Sequence, residues 1–198
     1  MKVIGLTGGI GMGKSTAAAA FRRARLPVFD ADAAVHAVQA PGGAALPAIA
    51  AAFPGTVGIR DGRRVLDRAA LRRAVLGDEA ALRRLEIILH PMVRRAERAF
   101  LARARRSGAR LAVLDIPLLL ETGGAARVDL VLVVSAPGAV QRQRVARRRQ
   151  MTPAQIAAVI ARQMPDAEKR RRADVVVRTG LSRYHAQRAL RRFMLATR

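Results

Sequence analysis

Neither cysteine, tryptophan nor asparagine occurs anywhere in this chain. Without cysteine there is no disulfide framework and no thiolate to act as nucleophile or metal ligand, an economy that suits a reducing cytoplasm. Without asparagine the guanine-reading pattern N-K-x-D is impossible, which removes a GTPase switch from consideration. Aromatics are sparse, with five Phe and one Tyr, so the stacking platforms that grip single-stranded nucleic acid are largely missing. No run approaches ~18 consecutive apolar residues, and the N-terminus enters a strand pattern instead of a basic region and cleavage site. The expectation is a cytoplasmic chain, neither exported nor membrane-spanning. Lysine is scarce too: of 37 basic residues only Lys2, Lys14 and Lys169 are not arginine.

The basic residues face 14 acidic ones, a formal net charge of +23. Such a surplus attracts anions of any kind. Here the arginines are spread along helical segments in an alanine-rich background, not gathered in one tail, so we expect neither a specific nucleic-acid partner nor a membrane partner. At 198 residues the chain is long enough for one sizeable core, with room for an insertion. Oligomeric state is not legible.

The opening stretch VIGLTGGIGMGKSTAAAAF holds the strongest signal. Gly8, Gly13, Lys14 and Ser15 fit G-x-x-x-x-G-K-[ST], between a β-type run at Lys2–Thr7 and a helical pattern at Ser15–Arg25. The glycines Gly8, Gly9, Gly11 and Gly13 let successive N–H groups close around a phosphate at the positive end of the helix. A narrow ammonium at Lys14 reaches between phosphate oxygens where a guanidinium fork would not fit. Ser15 would place its hydroxyl on Mg²⁺. The stretch reads as a nucleoside-triphosphate site.

Further strand-like runs fall at Pro27–Phe29, Leu111–Ile116, Val128–Val134 and Asp174–Val177, with helical patterns between most of them. The spacing predicts an α/β fold of three layers, a five-stranded parallel sheet between helices. Between Asp32 and Leu111 the interval is too long for a simple crossover. It is largely helical, with a hairpin at Ile59–Leu66 turning on Asp61-Gly62 and a long helix from about Glu79 to Arg106 kinked by Pro91. We therefore expect one domain: a core at 1–32, 111–137 and 173–198, an acceptor-binding insertion at 33–110 and a lid at 138–172.

In VFDADAAVH, Asp30 and Asp32 are expected together at the end of the second strand, the sheet edge where ligands bind. One, Asp32 in preference, would accept the proton of an attacking hydroxyl while Asp30 orients it or binds metal through water. Capping of the next helix is the alternative for either. In LAVLDIPLLLE, Asp115 ends an apolar run as a Walker B carboxylate does, beside the phosphate loop and within reach of Mg²⁺ or its water. In QRQRVARRRQMTPAQ, arginines crowd one helix before Thr152, Pro153 and Gln155 begin another with a capping box. Beside a phosphate loop such arginines can close over the triphosphate, and the run does not say which one does.

LTGGIGMGKST, FDADAAVH, LHPMV, LDIPLLLE and ARQMPDAEKRRRADVV together resemble the ordered motifs of the dephospho-coenzyme A kinase family, across roughly Val3 to Val177. The resemblance implies a P-loop kinase fold of the nucleoside-monophosphate-kinase type and transfer of the ATP γ-phosphate to the 3′-hydroxyl of dephospho-coenzyme A. It implies that Gly11 to Thr16 hold the ATP phosphates and that Asp32 is the base. His90 and Asp115 match positions facing acceptor and metal, Arg144 and Arg148 match lid arginines, and Arg162, Gln163 and Lys169 match the motif after the lid. This chain reads Arg178-Thr179 where the family commonly has Asp-Asn near the nucleotide base, which leaves backbone groups around 178–180 to hold adenine. A nucleoside- or shikimate-type kinase is the alternative, with a nucleic-acid-binding ATPase further off.

Overall fold

The computed structural model describes residues 1–149, 152–161 and 163–197, the side chains at 148, 149 and 183 excepted. By internal contacts these divide into two units, 1–29 with 102–198, and 30–101.

The first unit is built on β1 (Lys2–Thr7), which runs through the glycine-rich loop into α1 (Lys14–Arg23). A short β2 (Val28–Asp30) follows and closes one edge of the sheet. In the second unit come α2 (Ala31–Val38), α3 (Leu46–Ala52), the hairpin β3 (Val57–Arg60) and β4 (Arg63–Leu66), α4 (Arg68–Val75) and most of α5 (Glu79–Arg106). The chain then completes the first unit with β5 (Leu111–Asp115), β6 (Leu130–Ser135), α6 (Gly138–Arg149), α7 (Pro153–Ala161), α8 (Asp166–Arg171), β7 (Val175–Arg178) and α9 (Arg183–Ala196).

The sheet order is β2-β5-β1-β6-β7, and the β1–β5, β1–β6 and β6–β7 pairings are parallel. Every residue of β5 is buried, as a strand covered on both faces requires. The expected five-stranded parallel sheet is present, β1 with the expected bounds and the other strands differing from them by one or two residues. On one face α1 and α9 pack through Ala17, Ala18, Phe21, Ala186, Leu190 and Met194, with the Phe21 and Phe193 rings edge to face at 6.4 Å. Small alanines on α1 let that helix lie close to the strands.

The second unit has its own apolar cluster, from Ala45, Ile49 and Phe53 to Leu71, Leu85 and Leu89. Its hairpin turns on Asp61 and Gly62, both at positive φ (50° and 70°), the two-residue turn whose twist suits a β-hairpin. Pro91 lies inside α5, which continues through it. No helix among the described residues is long and apolar enough to cross a membrane.

One expectation is corrected. Asp30 and Asp32 do not share a strand end: β2 stops at Asp30, and Asp32 stands in the first turn of α2. The cause is local. Asp30 accepts a hydrogen bond from the Ala33 N–H at 3.0 Å, capping the helix at once, so the extended backbone ends two residues before Asp32.

Candidate active site

Parallel pairing of β1 with β5 sets Leu6 opposite Asp115, so the carboxylate arrives where β1 ends and the loop begins. The Lys14 ammonium lies 2.6 Å from its Oδ1, and the Asp115 side chain is buried. An amine drawn onto a buried carboxylate at the mouth of a glycine-rich loop is pre-set to meet a second anion from the open side. The Thr7 hydroxyl, donating to the Pro117 carbonyl at 2.8 Å, ties the end of β1 to the chain beyond Asp115.

The loop needs its glycines for space as well as for backbone angles. A Cβ at Gly11, where φ is 74°, would stand 2.8 Å from Val145 Cγ2 and 2.9 Å from the Gln141 carbonyl oxygen. One at Gly8 would meet the Val134 carbonyl oxygen at 2.7 Å. The loop is thus pressed against β6 and α6. Gly13, at φ 96°, opens α1 without a side-chain cap. Helix geometry leaves the N–H groups of Lys14 and Ser15 without intrahelical partners, facing any anion in the loop. Gly9 and Thr16 belong to the same turn, and Ser15 is exposed there.

Four residues beyond the loop brace it. Gln141 on α6 donates from Nε2 to the Ile10 carbonyl, and Gln163 accepts from the Ile10 N–H, each at 2.9 Å. Arg144 donates to the Gly11 carbonyl at 3.3 Å, to the Thr179 hydroxyl at 3.1 Å and to the Thr179 carbonyl at 2.7 Å. The Thr179 hydroxyl in turn donates to the Met12 carbonyl at 2.6 Å. Thr179 stands out in the sequence only as a departure and Gln141 not at all, because Gln141 reaches Ile10 across 131 positions and Thr179 reaches Met12 across 167.

Arg144 and Thr179 also wall a cavity of about 170 Å³ together with Gly13, Ala17, Ala186 and Leu190. It opens beside Thr16, at the N-terminal end of α1, with apolar sides and one guanidinium.

The capping box at α7 is present: Thr152 N–H donates to Gln155 Oε1 at 2.9 Å and Gln155 N–H to Thr152 Oγ1 at 3.3 Å. Arg162 lies outside the described residues, as does the side chain of Arg148. In the second unit His90 is exposed on α5, and Asp32 is exposed on α2 with no hydrogen-bond or ion-pair partner among the described residues.

Comparison with known proteins places the whole chain in a family. The family model for dephospho-CoA kinase matches residues 2–182. The chain belongs to the dephospho-CoA kinase family. A dephospho-CoA kinase of Paramagnetospirillum magneticum is 61% identical over 170 residues, covering 86% of this chain and 78% of that protein. One of Mesorhizobium japonicum is 58% identical over 180 residues, covering 91% and 88%. A crystal structure from Thermus thermophilus superposes with a TM-score of 0.85 at 36% identity, over 98% of this chain and 96% of that one. Membership in a dephospho-CoA kinase family makes the chain a transferase, and its P-loop kinase fold implies ATP as the phosphate source.

Proposed function

We propose that this chain transfers the γ-phosphoryl group of ATP to the 3′-hydroxyl of dephospho-coenzyme A, releasing ADP and coenzyme A, the last step in making that cofactor. The observation that carries the reading is the Lys14–Asp115 pair at the mouth of the glycine-rich loop, within a chain matched to its family over residues 2–182.

In this reading Gly8, Gly9, Gly11, Gly13, Ser15 and Thr16 cradle the phosphates through backbone N–H groups and hydroxyls. Lys14 offsets charge on the β- and γ-phosphates, turning part of its attraction from Asp115 to the nucleotide. The cavity behind Arg144 takes the adenine, with the guanidinium against the base and Ala17, Ala186 and Leu190 as apolar walls. That arrangement makes Arg144 a nucleotide-holding residue and leaves Arg148 to meet the transferring group. Adenine recognition then needs no asparagine, since Thr179 holds the wall in place by bonding Met12 and Arg144.

The fit to Mg²⁺ is good in donor chemistry. Ser15 and Asp115 are hard oxygen ligands, and phosphate oxygens and water complete such a shell, so no cluster of three protein ligands is required; none is found among the described residues. When bound, the ion would neutralise charge on the β- and γ-phosphate oxygens.

Asp32 is the proposed base. Its carboxylate is exposed, with no hydrogen-bond or ion-pair partner among the described residues, and it would orient the acceptor hydroxyl and take its proton as the phosphorus–oxygen bond forms and the bond to ADP breaks. Asp30, His90, Arg162 and Gln163 are proposed on the acceptor side through the family motifs. The Asp30 and Gln163 carboxylate and amide oxygens also accept backbone N–H groups. The expected division into core, acceptor-binding insertion and lid is proposed on the same basis. We propose a cytoplasmic enzyme with a small-molecule acceptor and no specific nucleic-acid partner.

ADP release measured across dephospho-coenzyme A, nucleosides and shikimate tests the reading. Turnover with dephospho-coenzyme A at least ~10² above the others in kcat/KM is expected. A preference for shikimate or a free nucleoside would overturn it.

A further inference from the structure

One residue of the phosphate loop, Ile10, is held at both of its flanking peptide groups by side chains that come from far along the chain. The Ile10 N–H goes to Gln163 and the Ile10 carbonyl to Gln141. Gln141 is carried by a helix, α6, whose backbone is fixed by its own ladder. Gln163 is not: it lies in the segment joining α7 to α8, and a side chain on such a segment can hold a target only where its backbone is itself held.

Two contacts hold it: the Gln163 N–H donates to the Ile160 carbonyl at 3.1 Å, tying it to the end of α7, and Glu121 fixes the next residue. Its Oε1 accepts the N–H of Met164, next to Gln163, at 3.2 Å, and the same oxygen lies 2.6 Å from the Lys169 ammonium. Lys169, on α8, is 1% exposed and among the largest fully buried side chains. A chain that otherwise chooses arginine keeps lysine at two inner places, Lys14 and Lys169. As a source of stability the pair is poor, because desolvation of both ions offsets their attraction. Glu121 Oε2 and Lys169 Nζ are buried and neither makes a hydrogen bond among the described residues, so the two side chains are held together as an ion pair alone. Two apolar side chains of similar volume would suit the fold as well. They would not present an acceptor at one fixed point for the Met164 N–H.

We propose that the buried Glu121–Lys169 pair is a positioning device for the phosphate loop. Lys169 fixes the Glu121 carboxylate, Glu121 fixes the backbone N–H of Met164 beside Gln163, and Gln163 thereby keeps the Gly9–Ile10 peptide in the orientation that leaves the following N–H groups turned toward phosphate. Neither Glu121 nor Lys169 acts on the nucleotide directly. The inference rests on reading the loop as the ATP site and does not depend on which acceptor is used.

The test is a thermodynamic cycle on nucleotide binding, read by calorimetry with a non-hydrolysable ATP analogue and no acceptor present. The paired apolar change Glu121→Leu with Lys169→Met should fold with little loss of Tm but bind the analogue about tenfold more weakly, the weight of roughly one hydrogen bond. Gln163→Leu should cost about the same in the natural background and nothing further in the apolar one. Steady-state KM for ATP should follow binding. Should the apolar pair not fold, Glu121→Gln, which keeps the shape while neutralising the carboxylate, carries the same cycle with Gln163→Leu. Unchanged affinity in the folded variant, or a Gln163→Leu cost that is equal in both backgrounds, would overturn the proposal. A protein that binds the analogue as described yet does not phosphorylate dephospho-coenzyme A would instead overturn the assigned reaction and leave the positioning role intact.

Discussion

Lys14 and Asp115 stand 101 residues apart in sequence and 2.6 Å apart in space, an ammonium at the start of α1 and a carboxylate at the end of β5. The pair sets the electrostatics of the loop: the positive charge is anchored on the protein side and open on the other. Lys14→Met should lower kcat by ~10²–10³, the usual cost of losing one preorganised charge on a developing anion. Lys14→Arg should not restore it, because the wider fork does not match a point-charge site. Steady-state kinetics of the two variants check this, and wild-type-like kcat in the arginine form would contradict it.

Arg144 and Arg148 should separate kinetically. Arg144 is tied to Gly11 and Thr179 and walls the proposed base cavity, so Arg144→Ala should raise the KM for ATP more than it lowers kcat. Arg148→Ala should do the reverse, since an arginine on the transferring group strengthens its hold in the transition state and can be worth ~10³ or more. Equal, small effects at both positions, matching those of Arg147→Ala, would reduce the run to a solvated face.

Thr179→Val keeps the shape of the side chain and removes only its hydroxyl. The Met12 carbonyl and an Arg144 N–H both lose their partner in a buried place, at a cost of about 1–3 kcal/mol. Urea unfolding should register this loss, accompanied by weaker ATP binding. Unchanged stability would mean that water replaces the hydroxyl without cost.

Glu97, buried on α5, has its carboxyl pushed above the usual range by desolvation, with Arg94 and Arg98 opposing the shift. A raised folded-state pKa means the native protein binds the proton more tightly than the unfolded chain does, so stability falls as pH rises through the interval above the ordinary value of about 4.5. Glu97→Gln removes that dependence. Its Tm relative to wild type should therefore be more favourable at pH 7 than at pH 4, and a difference that does not vary with pH would rule the desolvation cause out.

The parts of the site legible in the sequence are those built from neighbours in the chain. The loop from Gly8 to Ser15 and the apolar run ending at Asp115 announce themselves because strand, turn and helix follow one another within a few residues. The capping box of Thr152 and Gln155 and the turn at Asp61-Gly62 are legible for the same reason. Asp32 was misplaced because β2 is only three residues long and its last residue, Asp30, is itself the helix cap; a one-residue handover from strand to helix leaves no alternating pattern to read. Gln141, Thr179 and Glu121 were not assigned their roles because each acts on a backbone group brought near only by the order of strands in the sheet.

The central claim is the transfer of a phosphoryl group to one hydroxyl of one acceptor, and ³¹P NMR of the reaction with ATP and dephospho-coenzyme A addresses it directly, with Asp32→Asn run in parallel. The wild type should produce ADP and a single new phosphomonoester resonance coupled to the ribose 3′-proton. Asp32→Asn should bind both substrates and form that resonance ~10²–10⁴ more slowly, with the acid limb of the pH–rate profile gone. ADP with free inorganic phosphate and no new ester, or a phosphoester at another position, would contradict the account.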